Sequence, residues 1–92
     1  MRLTNLPGVK RRHVPAENAS TVHRMACVLR QGKAATTAAD DGAINSWIDD
    51  AGRYRAERNV YMRIVDSQTF TSLKKLSAWY REGLVLIQRS ER

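Results

Sequence analysis

A chain of 92 residues has material for one hydrophobic core, because two half-sized cores would bury too little surface to offset chain entropy. At 42% hydrophobic and 7% aromatic, that core is modest, which argues against a deep, walled substrate cavity and hence against an enzyme. Lys and Arg number 16 against 9 Asp and Glu, for a net charge of +7, and twelve of the sixteen are Arg. Guanidinium is planar, always charged and grips phosphate with paired hydrogen bonds, so the excess points to a polyanion. An acidic protein partner or a merely solvated basic surface are the competing accounts.

Met1 to Pro15 holds Pro7, Gly8 and Pro15 around Lys10, Arg11, Arg12 and His13, which predicts a basic extended arm ahead of a single domain over 16–92. From 16 to 31, Val22, Met25, Ala26 and Leu29 fall at helical spacing, with Pro15 before and Gly32 after. A helix is favoured there, and a strand over Thr21–Leu29 is its rival because Met25, Cys27 and Leu29 also alternate. Lys33 to Gly42, KAATTAADDG, is small and polar and reads as a loop or a weak short element.

Residues 43–58 contain two short segments around Asp49, Asp50, Ala51 and Gly52, which predicts a hairpin. The rival is a helix, since Ile44, Trp47, Ile48 and Ala51 also share one helical face. Val60–Val65, VYMRIV, is dense in strand-forming residues and reads as one strand. Thr69–Gly83 then predicts a helix with Leu73, Leu76, Trp79 and Tyr80 on its buried side, Thr at its start and Gly83 as its stop. Leu84–Gln88 follows as a final strand, or as another helical turn if Gly83 is tolerated. The expected fold is α+β, a small antiparallel sheet with one N-terminal and one C-terminal helix.

Catalytic chemistry is sparse. His13 and His23 are the only histidines, and neither stands in a signature for nucleophilic, acid–base or metal chemistry. His23 and Cys27 are four apart, but a zinc site needs three or four ligands. Asp40–Asp41 and Asp49–Asp50 read as turn formers, and no glycine-rich phosphate cradle is present. No catalytic residue, cofactor, metal or small-molecule substrate is therefore expected. The lone Cys27, the lack of a secretory leader pattern and the lack of a long apolar run predict a cytoplasmic protein with no membrane partner.

The informative constellation is Arg53, Arg55 and Arg58 around Tyr54, with Tyr61 and Arg63 following and Lys10, Arg11 and Arg12 in the arm. On a strand, Arg53 and Arg55 share a face about 7 Å apart, near the spacing of successive phosphates, and a tyrosine can stack on an unpaired base. These nine residues are expected to converge into one cationic face that contacts nucleic acid. Pairing of Arg53 and Arg55 with Glu57 or the turn acids is the alternative. Trp47, Phe70, Leu73, Leu76 and Trp79 are assigned to the core, with Met25 and Met62 filling gaps.

Two resemblances bear on function. The stretch VYMRIVDSQTFTSLKKLSAWYREG resembles the strand, Ser/Thr cap and Leu-Trp-aromatic helix of several small phage anti-CRISPR proteins. That resemblance implies a phage-encoded, stoichiometric inhibitor, favoured as a monomer, acting in the host cytoplasm on a nucleoprotein complex whose RNA or DNA it touches. Members of that group share no single fold, so it transfers no residue by position. The stretch AATTAADDGAINSWIDDAGR resembles the helix-turn-helix of Cro-type phage repressors, although Thr37 stands where an apolar anchor is usual. This second resemblance implies a dimeric DNA-binding regulator with a reading helix opening at Ala43, Ile44 and Asn45.

Overall fold

A computed structural model describes residues 10–16 and 20–88. The first nine residues of the expected arm, residues 17–19 of the first expected helix and residues 89–92 of the expected domain lie outside the described residues.

In chain order the elements are β1 (Arg11–His13), α1 (Ser20–Arg30), β2 (Ala34–Ala39), β3 (Gly42–Ile48), β4 (Tyr54–Val60), β5 (Arg63–Phe70) and α2 (Leu73–Ile87). The five strands lie side by side in sequence order. β1 runs parallel to β2, and the other neighbours are antiparallel. Both helices pack against the sheet and against each other. The fold is α+β, as the sequence predicts, with the sheet mixed and not wholly antiparallel because of β1.

A parallel pair needs a crossover, and α1 supplies it. Val22, Met25, Ala26 and Leu29 are all buried, while Cys27 is only half-buried, which is the helical pattern and not the alternating one. The basic segment is not an extended arm at its end. Ala34 N–H donates to the Lys10 carbonyl at 2.7 Å and Val14 N–H to the Thr36 carbonyl at 2.8 Å, and Val14 enters the core at 2% exposure. Burial of one apolar side chain and a strand ladder outweigh the punctuation of Pro7, Gly8 and Pro15.

Three further expectations are corrected. The stretch 33–42, expected to be a loop or a weak element with little core, holds the six-residue β2, in which Ala35 and Thr37 are fully buried. Ala and Thr carry too little hydrophobic contrast for their alternation to show, and β-propensity yields to the flanking strands. With β2 and β3 occupying 34–48, the helix-turn-helix stretch holds no helix, and its proposed reading helix is a strand. Val60–Val65 is not one strand: Val60 ends β4, Tyr61 and Met62 form a two-residue turn, and Arg63 opens β5. Tyr61 and Met62 have φ of 50° and 66°, a conformation that Asn and Gly normally announce.

The β3–β4 hairpin is as expected. Asp49 N–H donates to the Arg53 carbonyl and Gly52 N–H to the Asp49 carbonyl, each at 2.9 Å, with Gly52 at φ 81°. α2 begins later and ends later than predicted. Its N-cap is Ser72, whose hydroxyl accepts from Lys75 N–H at 3.2 Å, because Thr69 and Phe70 still pair in β5. Leu84–Gln88 is no strand: α2 runs through Gly83 to Ile87. Gly83 is buried against β3, where an added Cβ would lie 2.8 Å from Ile44 Cδ1, so this glycine serves close packing and not termination.

Candidate nucleic-acid interface

Strand register sorts the predicted contacts by face. Cross-strand partners point the same way, and Arg12, Ala35, Ser46, Ala56 and Gln68 form one row on the side covered by the helices. His13, Thr36, Asn45, Glu57 and Ser67 form the neighbouring row on the open face.

Arg11 and His13 therefore project on the open face and Arg12 on the helix side, all three exposed at the sheet edge. Arg12 borders a shallow depression shared with Arg24, Val28 and Gln31 of α1. Arg24 was not among the predicted contacts. Its signal is the stripe Arg24, Val28, Gln31 at i, i+4, i+7, which flanks the buried stripe of α1 and faces the β1 edge. Among the described residues, the ion pairs are those of Asp49 with Arg53 and Arg55, and none involves Lys10, Arg11, Arg12 or Arg24.

Arg53 stands just before β4 and Arg55 lies on its open face, and both turn inward to Asp49. Arg53 Nε is 3.4 Å and Arg55 Nη1 3.5 Å from Asp49 Oδ2, and the Arg55 guanidinium sits 5.9 Å from the Trp47 ring centroid. The alternative account of these two arginines, pairing with turn acids, describes what they do. The Arg53 backbone N–H, bonded to Asp49 Oδ1 at 2.9 Å, holds the Asp49 carboxyl below its usual range. Partial desolvation opposes this, while the Ala51 N–H, the Arg53 charge and the Arg55 guanidinium add to it.

Arg58 and Tyr54 face the helix side. Arg58 lies opposite Ile44 and Asp66, and Tyr54 opposite Ile48 and Phe70, half-buried against the core. Tyr61 and Arg63 are exposed at the β4–β5 turn, at the far end of β4 from Arg53. The nine predicted residues thus do not form a single cationic face. Lys10, Arg11 and Arg12 stay together at one edge, and the rest divide among a turn, the helix side and a second turn.

Sequence reasoning also missed a polar network on the open face. Thr36 Oγ1 donates to Asn45 Oδ1 at 2.9 Å, and Asn45 Nδ2 donates to Glu57 Oε2 at 3.0 Å, with Glu57 only 4% exposed. Trp47, assigned to the core, is buried at 8% exposure, in the row of Arg55 and Thr69 on this face of the sheet and not beneath the helices. Phe70 and Trp79 pack as assigned, with ring centroids 6.3 Å apart and Trp79 Nε1 donating to Asp66 Oδ2 at 3.2 Å. Met62 is not a gap filler: it is 79% exposed.

His23 and Cys27 touch on an exposed face of α1, with Nε2 and Sγ 3.7 Å apart. Among the described residues no group of three or more His, Cys, Asp or Glu is placed to hold a metal ion, and no helix is long and apolar enough to cross a membrane. Compared with protein-family models, curated proteins and solved structures, the chain matches none.

Proposed function

We propose that this chain is a non-catalytic binding protein that engages nucleic acid, within a nucleoprotein complex, through the edge formed by β1 and the adjoining stripe of α1. The observation that carries this reading is the run Lys10, Arg11 and Arg12, exposed along one sheet edge with Arg24 beside Arg12, none with a carboxylate partner among the described residues. Arg11 and Arg12 project to opposite faces, so a phosphodiester running along the edge is straddled. Because the Lys10 carbonyl and Val14 N–H turn inward to β2, the N–H groups of Arg11 and His13 turn outward and add neutral donors for phosphate oxygens. Holding the cations on a paired strand also lowers the entropy lost on binding.

The specific form supported by the resemblance of the C-terminal half is a phage inhibitor of a host RNA-guided complex. Of the stretch that carries the resemblance, β5 leads into Ser72, which caps the helix bearing Leu73, Leu76, Trp79 and Tyr80, while VYMRIV divides between two strands. Fluorescence anisotropy with a short RNA and a short DNA tests the reading. The four edge cations contribute about −2.8 to −3.6 to the slope of log affinity against log salt. R11Q/R12Q/R24Q should remove about three quarters of that contribution, while R53Q/R55Q should leave the slope unchanged. Salt-independent binding of either oligonucleotide would overturn the reading.

A further inference from the structure

The feature this reading leaves unexplained is the β4–β5 turn. Tyr61 is 91% and Met62 79% exposed, so neither contributes to the core, and both hold positive φ that bulky L-residues resist. Asn-Gly would form the same turn without strain. Strained backbone persists where the side chains it aims are used. Ile64 and Val65, each 47% exposed, extend the apolar surface along β5, where a register shift at Arg58/Asn59 leaves Val65 unmatched and increases the local twist.

Arg63 follows the turn directly and is exposed, with no ion pair among the described residues. From β1 to the turn is about 17 Å across the strands and, because the Arg12 row meets β4 at Ala56, about 16 Å along them, or about 24 Å on the diagonal. A strand of roughly seven stacked nucleotides at 3.4 Å each spans it.

We infer that the Tyr61–Met62 turn is a base-contacting tip: Tyr61 stacks on an unpaired base, Met62 covers that base's flank, and Arg63 meets the adjoining phosphate. An aromatic ring and an unbranched thioether are side chains that accept any base face, which makes the contact tolerant of sequence. This rests on the nucleic-acid reading above and names the form of ligand, a strand with at least one unstacked base.

The test uses the full chain and a 2-aminopurine-labelled single-stranded oligonucleotide. Y61N/M62G should fold at least as stably as the parent, because it relaxes the turn, yet bind about 10-fold to 100-fold more weakly and lose the 2-aminopurine response. Its salt slope should not change, and Y61F should bind as the parent does. R11Q/R12Q/R24Q should flatten the slope but keep the fluorescence response at saturating protein. Parent-like affinity and fluorescence in Y61N/M62G would overturn the tip alone. An affinity that responds to the turn but not to the edge variant would overturn the edge and keep the tip. A parent that binds no oligonucleotide would overturn both, and a turn needed only for retention on a protein component would assign it to a protein pocket.

Discussion

Tyr80 and Thr37 show how single buried groups set the pH range of this fold. Burial pushes the Tyr80 phenol up to about 12, against the opposing effect of its hydrogen bond with the Thr37 hydroxyl. The folded chain therefore keeps a proton that the unfolded chain releases above its usual value of 10.0, so this stabilisation is full below that value and is lost as pH rises towards about 12. Thermal melts of Y80F should lack that alkaline decline. At neutral pH Y80F should be less stable by about 1–3 kcal/mol, because it strands the Thr37 hydroxyl, and T37V/Y80F should recover part of the loss. Asp49 has the opposite sign. Its folded-state carboxyl lies below the usual 3.8, so its contribution holds above that value and fades as pH falls through the folded one. D49N keeps an acceptor for the Ala51 and Arg53 N–H groups but not the ion pairs. Acid titration of its melting temperature should be flatter than the parent's, by a small margin given the exposure of Arg53.

Helix and sheet meet most closely where α2 crosses β3. An alanine at Gly83 gains about 1 kcal/mol of helix propensity but drives its Cβ to 2.8 Å from Ile44 Cδ1, in a fully buried side chain that cannot swing clear. G83A should therefore lower the melting temperature. Removing Cδ1 with I44V should reverse the sign, so that G83A/I44V is about 1 kcal/mol more stable than I44V. The other helix end is simpler: S72A removes the acceptor for Lys75 N–H and should destabilise by about 1 kcal/mol in denaturant unfolding. The β4–β5 turn carries strain of about 1–2 kcal/mol per residue in a left-handed conformation. Relaxing it should raise the unfolding midpoint, a gain in stability expected to accompany a loss in binding.

Across the whole molecule, a charge of +7 is not a uniform coat. Asp49 absorbs two arginines at one turn, Arg58 stands over the helix side, and the cations at the edge of β1 and α1 have no carboxylate partner among the described residues. Composition and periodicity by themselves determined the basic character, the single core and α2, and favoured α1 over a strand and the β3–β4 hairpin over a helix, since each depends on local spacing or local turn chemistry. Boundaries at Ser72 and Ile87 were beyond reach because Thr69 and Phe70 suit a strand as well as a helix start, and a glycine that stops helices elsewhere is here a packing gap. Only the tertiary structure decided that KAATTAADDG holds a strand, that VYMRIV bends in its middle, and which guanidinium groups are neighbours. The physical reason is common to all three. Ala and Thr become a strand when flanked by strands, Tyr and Met accept positive φ when a hairpin holds them, and the distance between two charges far apart in sequence is set by register, which no local pattern contains.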